Sequence, residues 1–285
     1  MANPSLKAAF ARRAFVTAPG VYDLISALIA DRMGFSALYV TGYGTVASYL
    51  GLPDAGLATY RDMLERVETI VARTKTPVIA DADTGYGGLL NVRHTVRGYE
   101  AAGVTAIQLE DQEFPKKCGH TPNRRVIAMD DMVRKIEVAV DSRRSDDFLI
   151  IARTDARTAL GLDEALKRGE AYAKAGADII FIESPETEAE METVCKTIDK
   201  PLLANMVEGG RTPVKSAAEL AAMGYALAIF PAAGFLSTAA ALTNAYGDLK
   251  ENGRTTERTP LYSFEKFNEL IGFEDVWEFE KRYTS

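Results

Sequence analysis

One interval recurs four times along the chain and narrows the folds open to it. Gly34 leads through an apolar run to Thr41, Gly103 to Glu110, Gly176 to Glu183 and Gly224 to Pro231, each seven residues on. Each glycine follows a helical pattern, where a residue that accepts positive φ ends a helix. The unbroken apolar run after it reads as a strand covered on both faces. Two further runs open on proline, Pro77 to Ala80 before Asp81 and Pro201 to Ala204 before Asn205. Phe148 to Ala152 before Arg153, and Phe15 to Pro19, complete a set of eight. Amphipathic helical stretches separate them, among them Thr59 to Arg73, Asp130 to Arg143 and Leu162 to Ala175. Eight strand-helix units in about 250 residues predict an α/β chain folded as a (β/α)8 TIM barrel. An open doubly wound sheet asks for a glycine-rich phosphate turn after its first strand, and Pro19-Gly20-Val21-Tyr22-Asp23 is not one.

No low-complexity linker divides the chain, so the barrel is expected over 1–252. Residues 253–285 read as a helical tail carrying Phe264, Phe267, Phe273, Trp277, Phe279 and Tyr283, which must bury itself on its own barrel or a partner's. A 285-residue chain that is 47% apolar supplies a large core. No apolar run reaches the roughly 18 residues of a membrane span, and Met1 to Arg13 lacks a signal peptide's apolar centre, so a cytoplasmic protein is expected. Two cysteines, Cys118 and Cys195, make no disulfide framework at this length and read as free thiols. A net charge of -7 argues against nucleic acid as partner, but a local cationic cluster still admits an anionic small molecule.

Barrel enzymes carry their chemistry at the C-terminal ends of the strands. Those positions here hold Thr41, Asp81 with Asp83, Glu110 with Asp111, Arg153 with Asp155, Glu183 and Asn205. Carboxylates and an arginine gathered on one rim cost several kcal/mol unless a cation or ligand offsets them. Oxygen ligands without a histidine cluster favour a hard cation, Mg2+ or Mn2+, held by Asp81 and Asp83 with Asp54 and Glu110 behind them through water. Gly85 to Gly88 read as hinge or close-approach positions, or as an ordinary loop. Cys118 stands in Lys116-Lys117-Cys118-Gly119-His120, where three cations lower a thiol pKa and Gly119 permits a tight loop. Two histidines in the whole chain leave little for a nucleophilic triad, so Cys118 reads as a proton donor. Cys195 reads as a small buried hydrophobe, and His94, in a helix over Asn91 to Ala102, as structural or surface.

Several separate motifs occur in an order that resembles the isocitrate lyase and phosphoenolpyruvate mutase superfamily over nearly the whole chain. They are Leu50-Gly51-Leu52-Pro53-Asp54, Asp81 to Gly87, Glu110-Asp111-Gln112, Lys116 to His120, Ala152 to Ala156, and Glu183. The resemblance is nearest to the 2,3-dimethylmalate lyase, petal death protein and methylisocitrate lyase branch, where the cysteine motif marks carbon–carbon lyases and is absent from phosphonate mutases. It implies metal-assisted cleavage of a 2-hydroxy dicarboxylate to a 2-oxo acid and a carboxylate through an aci-enolate. By that similarity Thr41, Gly42 and Tyr43 hold the 2-hydroxy acid end, with Gly119 beside them. Arg153 clamps the carboxylate, and Glu183 and Asn205 place the other fragment. Cys118 protonates the enolate with Lys116 and His120 in attendance, and the base stays open among Tyr43, Glu183 and a water on the metal. In methylisocitrate lyases an Arg sits five residues beyond the proline that corresponds to Pro231; Leu236 stands there. Thr41-Gly42-Tyr43-Gly44 also departs from their Ser-Gly-Gly-Gly. A tricarboxylate would lose a charged hydrogen bond of roughly 1.5–3 kcal/mol, so a 2-alkylmalate such as 2,3-dimethylmalate is the expected substrate. Oxaloacetate hydrolase and methylisocitrate lyase are the alternatives within the family, and a non-catalytic metabolite-binding barrel is the alternative outside it. The resemblance also implies a homotetramer, often with exchanged C-terminal helices.

Overall fold

A computed structural model describes residues 6–119 and 124–284. It contains eight strands: β1 (Val16–Val21), β2 (Leu38–Val40), β3 (Val78–Asp81), β4 (Ala106–Glu110), β5 (Leu149–Thr154), β6 (Ile179–Ile182), β7 (Leu203–Asn205) and β8 (Leu227–Phe230). All seven neighbouring pairs are parallel, in the order β6-β5-β4-β3-β2-β1-β8-β7, and a parallel bridge from Ile180 to Leu202 joins the two ends. The expected (β/α)8 barrel is present.

The helices are α1 (Leu6–Ala11), α2 (Leu24–Arg32), α3 (Gly42–Leu50), α4 (Tyr60–Arg73), α5 (Leu89–Ala101), α6 (Met129–Ser142), α7 (Ala156–Leu160), α8 (Leu162–Lys174), α9 (Glu188–Thr197), α10 (Ala217–Met223), α11 (Ala233–Asn252), α12 (Phe264–Ile271) and α13 (Phe273–Tyr283). The four interval glycines have φ of 77°, 86°, 104° and 114°, the left-handed conformation that ends a helix and sends the chain back into the sheet. At its other end α4 is fixed by a capping box between Thr59 and Asp62, and it buries Met63, Val67 and Ile70, a four- and three-residue spacing that keeps one face on the sheet.

Alternation along each strand divides the core in two. Val16, Ala18, Tyr39, Ile79, Ala106, Leu149, Ile151, Ile179, Phe181, Leu203, Leu227 and Ile229 fill the barrel interior, to which α1 adds Leu6 and Ala9. Leu38, Val40, Ala80, Ile107, Leu109, Ile150, Ala152, Ile180 and Ile182 pack outward against helix faces such as Met132 and Ile136 of α6 and Tyr172 of α8. Burying each large side chain of this kind contributes about 1.5–3 kcal/mol.

The chain divides into two compact units, 1–233 and 234–285. Within the second, Asp248 accepts from Thr256 N and from the Thr256 and Thr259 hydroxyls, which folds 253–259 back on the end of α11. Phe264, Trp277, Phe279 and Tyr283 are exposed on the chain. Leu236 lies in this unit, in α11, and is also exposed. No helix among the described residues is long and apolar enough to cross a membrane.

Candidate active site

The inward-facing rows of the strands change character at one end of the barrel. Tyr39 is followed on the same face by Thr41, Ile79 by Asp81 and Asp83, Ala106 by Gln108 and Glu110, Ile151 by Arg153 and Asp155, Phe181 by Glu183, and Leu203 by Asn205. A two-residue period that fills the interior with hydrocarbon delivers charged and polar groups at the mouth once the strand ends. Among the described residues of the barrel unit, every buried charged side chain falls in the mouth or directly behind it. There are seven carboxylates, Asp54, Asp81, Asp83, Glu110, Asp111, Asp155 and Glu183, and four cations, Lys116, Arg124, Arg153 and Arg168. Seven minus four leaves three formal negative charges in excess.

On one side of the mouth Lys116 Nζ lies 2.7 Å from Asp54 Oδ1 and 2.5 Å from Asp83 Oδ1. Burial alone would pull the ammonium pKa down, but Asp83 and Asp54 raise it well above the ordinary lysine value. Burial pushes Asp83 up to about 7 against the pull of Lys116, with Asp81 and Asp54 adding to the rise. Asp81 is held from inside the barrel, where Tyr39 OH donates to Gln108 Oε1 at 3.2 Å and Gln108 Nε2 reaches Asp81 Oδ1 at 3.4 Å. Its other oxygen faces Gly42, where a side chain would sit 2.7 Å from Oδ2; only glycine leaves that approach open at the start of α3. Burial also raises Glu110 well above the usual carboxylate range, and among the described residues its Oε1 has no hydrogen-bond partner.

On the other side Arg153 gives Nε and Nη2 to the two oxygens of Asp155, both at 2.9 Å, and lies 3.2 Å from Glu183 Oε2 and 3.4 Å from Glu110 Oε2. Burial would lower the guanidinium pKa; Asp155, Glu183 and Glu110 raise it instead. Burial likewise works against ionisation of Asp155, but Arg153 and then Arg124 hold it below the usual range. Asn205 Nδ2 donates to Glu183 Oε2 at 3.1 Å. Thr41 is buried at the N-cap of α3, and the amides of that helix's first turn have no partner within the helix.

The Cys118 segment lies against these groups. Cys118 N donates to Asp54 O at 3.2 Å, and the Gln112 amide accepts from Lys117 N and donates to Lys117 O at 3.0 and 2.7 Å. A bridge between Gln112 and Val126 ties the two feet of the segment together. A methyl placed on Gly119 would overlap Arg153 Nη2 and fall 2.8 Å from Glu183 Oε2, so the backbone rests directly on that pair. Cys118 is half-buried.

Of the residues singled out in the sequence, Thr41, Gly42, Asp54, Asp81, Asp83, Glu110, Lys116, Gly119, Arg153, Glu183 and Asn205 are all buried at this mouth. Tyr43 stands 41% exposed, outside the buried cluster. His120 lies outside the described residues. Lys116 is engaged by two carboxylates rather than standing free beside the thiol. Asp111, one residue past Glu110, faces the opposite way, taking Thr154 Oγ1 and Tyr172 OH at 2.7 Å, Asp155 N at 2.9 Å and Arg168 Nη1 at 3.0 Å. Gln108, Arg124 and Ser184 were not picked out by the sequence, and strand parity is the signal that could have found Gln108. Cys195 is half-buried with its pKa pushed up to about 11 by burial, and His94 is exposed and stacks on Tyr60 at 4.8 Å.

A hard divalent cation fits this donor set. The excess of buried negative charge and the unpartnered Glu110 oxygen both call for one. Among the described residues no group of three or more His, Cys, Asp or Glu side chains forms a ready metal cage.

The phosphoenolpyruvate phosphomutase family matches residues 6–250. The chain belongs to the phosphoenolpyruvate mutase and isocitrate lyase superfamily. It is 51% identical over 271 residues to a 2,3-dimethylmalate lyase of Eubacterium barkeri, covering 95% of this chain and 94% of that one. It is 43% identical to a 2-methylisocitrate lyase of Aeropyrum pernix, covering 95% and 86%. Among solved structures, a 2,3-dimethylmalate lyase superposes with a TM-score of 0.92 at 38% identity, covering 97% and 93%. Oxaloacetate acetylhydrolase with 3,3-difluorooxalacetate superposes at 0.90 and 34%, covering 96% and 93%. Phosphonopyruvate hydrolase with oxalate and Mg2+ superposes at 0.88 and 30%, covering all of both chains. The protein is an enzyme of the carbon–carbon lyase class within this superfamily.

Proposed function

We propose that this superfamily member cleaves a 2-alkylmalate such as 2,3-dimethylmalate to a 2-oxo acid and a carboxylate. The observation that supports the reading is the seating of the Gly119 backbone, next to Cys118, on the Arg153–Glu183 pair at a mouth built of a cationic fork and buried carboxylates. The 51% identity to a 2,3-dimethylmalate lyase supports the substrate class.

In this reading Thr41 and the start of α3 bind the carboxylate of the 2-hydroxy acid, since a helix N-terminus turns its N–H groups and the positive end of its dipole toward an anion. Arg153, held rigid by Asp155, clamps the second carboxylate, where negative charge grows as the bond breaks. Glu183 takes the proton of the 2-hydroxyl, the C2–C3 electron pair passes into the leaving carboxylate as an aci-enolate, and Cys118 Sγ–H returns a proton to its carbon. Glu183 is the preferred base because it is buried at the mouth while Tyr43 is exposed. Asp81 and Asp83 would hold Mg2+, with Asp54 and Glu110 behind them through water. When bound, the cation would supply Lewis-acid stabilisation of the oxygen that becomes the 2-oxo group. Assembly as a homotetramer belongs to the same proposal and is read by light scattering.

The test is turnover of 2,3-dimethylmalate, 2-methylisocitrate, isocitrate, oxaloacetate and phosphonopyruvate, with Mg2+ and with EDTA, by wild type and Cys118→Ser. Release of 2-oxo acid from the alkylmalate that EDTA abolishes and the substitution cripples is the expected result. Preference for oxaloacetate would move the assignment to the hydrolase, fast cleavage of methylisocitrate would overturn the argument from Leu236, and silence on every compound would leave a binding barrel.

A further inference from the structure

Ser184 is fully buried one residue beyond Glu183, at a φ of +60°. Left-handed backbone is costly for any residue with a Cβ, and Pro185, the next residue, normally restricts its predecessor to extended backbone. A conformation disfavoured twice over persists only where the surroundings impose it. The side chain shows what the turn achieves. Ser184 Oγ lies 3.0 Å from Glu183 Oε1 and 3.3 Å from the carbonyl oxygen of Gly119. Both neighbours are acceptors, and a hydroxyl has one hydrogen to give. One proton is therefore shared between the carboxylate of the proposed base and the backbone beside the proposed acid.

We propose that Ser184 is a positioning residue that registers the Cys118 segment against Glu183. The inference rests on the roles proposed above for Cys118 and Glu183. Arg153 and Asn205 meet Glu183 Oε2, and Ser184 meets Oε1. The same oxygen atom meets the carbonyl of Gly119, the residue next to Cys118. Without the hydroxyl, Glu183 Oε1 and the Gly119 carbonyl both lose the group that links them. The two groups that must exchange protons with opposite ends of one substrate are then no longer registered to each other.

Two substitutions separate the hydroxyl from the strain. Ser184→Ala removes the oxygen and keeps the disfavoured backbone; Ser184→Gly removes the oxygen and relieves it. In a Cys195→Ala background, the rate at which iodoacetamide alkylates Cys118 in the metal-loaded protein reports how well the segment is seated and needs no substrate. Both variants are expected to alkylate several-fold faster than the parent. Both should lose kcat on the alkylmalate by more than tenfold with a smaller change in KM, and Ser184→Gly should melt no lower than the parent. Parental alkylation and kcat in both variants would overturn the proposal. So would recovery of both by Ser184→Gly alone, which would assign the effect to backbone strain. A protein silent on the substrate panel still answers through the alkylation rate, so failure of the proposed reaction and failure of this inference are told apart.

Discussion

Replacing Asp155 by Asn tests how much the mouth depends on one buried carboxylate. Asp155 receives both arms of the Arg153 fork at 2.9 Å and a further bond from Arg124, which enters from the far foot of the Cys118 segment and also reaches Thr158 Oγ1 at 2.6 Å. Asparagine has the same shape but offers one acceptor oxygen, and its amide hydrogens face a guanidinium. With its oxygen in the Oδ1 place it keeps Arg153 Nη2 and Arg124 Nη1, and Arg153 Nε loses its partner; at about 1.5 kcal/mol for one charged hydrogen bond the loss is about 1.5 kcal/mol. At about 2–4 °C per kcal/mol for a domain of this size class, the melting temperature should fall by roughly 3–6 °C. Because Arg153 keeps Glu183 and Glu110, it stays bound but loses its fixed plane, and a misplaced clamp costs on the order of 100-fold in kcat. Asp155 has a depressed pKa, so its contribution is present above the unfolded carboxyl value of about 4 and is lost as pH falls below it. The gap between variant and wild type should therefore be constant near neutrality and close in acid. Calorimetry across pH, with steady-state kinetics at neutral pH, measures all of this. A variant that melts and turns over like wild type would refute the argument that this pair orients Arg153.

Four further outcomes follow from the barrel mouth and from the C-terminal unit. Asp83, raised to about 7, binds a proton where a cation needs the carboxylate, so Mg2+ affinity measured by calorimetry should climb as pH rises through that value. By the same sign the metal-free protein should lose stability between the unfolded value of about 4 and about 7, and added Mg2+ should flatten that slope. Asp111→Ala takes the buried carboxylate away from Arg168, which keeps Glu164 and the Ile127 carbonyl, and from the Asp155 amide, and should cost about 3–5 kcal/mol in urea unfolding; a neutral result would mean that the buried network behind the sheet repacks at no cost. Asp248 is held down to about 2 by Thr256 N and then by threonine hydroxyls. Asp248→Asn should therefore speed hydrogen exchange over 253–259 above the ordinary carboxylate range, with the difference vanishing as pH falls toward 2.

The barrel was legible because its grammar is local. Glycines that end helices and apolar runs of fixed length need no knowledge of distant contacts, and all eight strands lie where those signals put them. The buried rim residues were legible for the same reason, being the first polar groups after each run. Asp111 was misplaced because adjacency in sequence is not adjacency on a strand: Glu110 faces the mouth, and one further residue points to Tyr172 and Arg168 on α8. Ser184 and Arg124 escaped notice because their significance lies in pairings 65 and 31 residues away. Nothing in a serine after a glutamate announces a φ of +60°.

All the buried charge of the barrel unit, among the described residues, is gathered in one cluster, where most members answer to two or more neighbours. Such a set tolerates little piecemeal revision: altering one member leaves its counter-charges unanswered where they are largely shielded from solvent. New substrate preferences would therefore be written around the cluster, at accessible neighbours such as Tyr43, whose replacement leaves no ion stranded. A library aimed at altered specificity would keep more folded protein by varying that margin than by varying the carboxylates that make the mouth reactive.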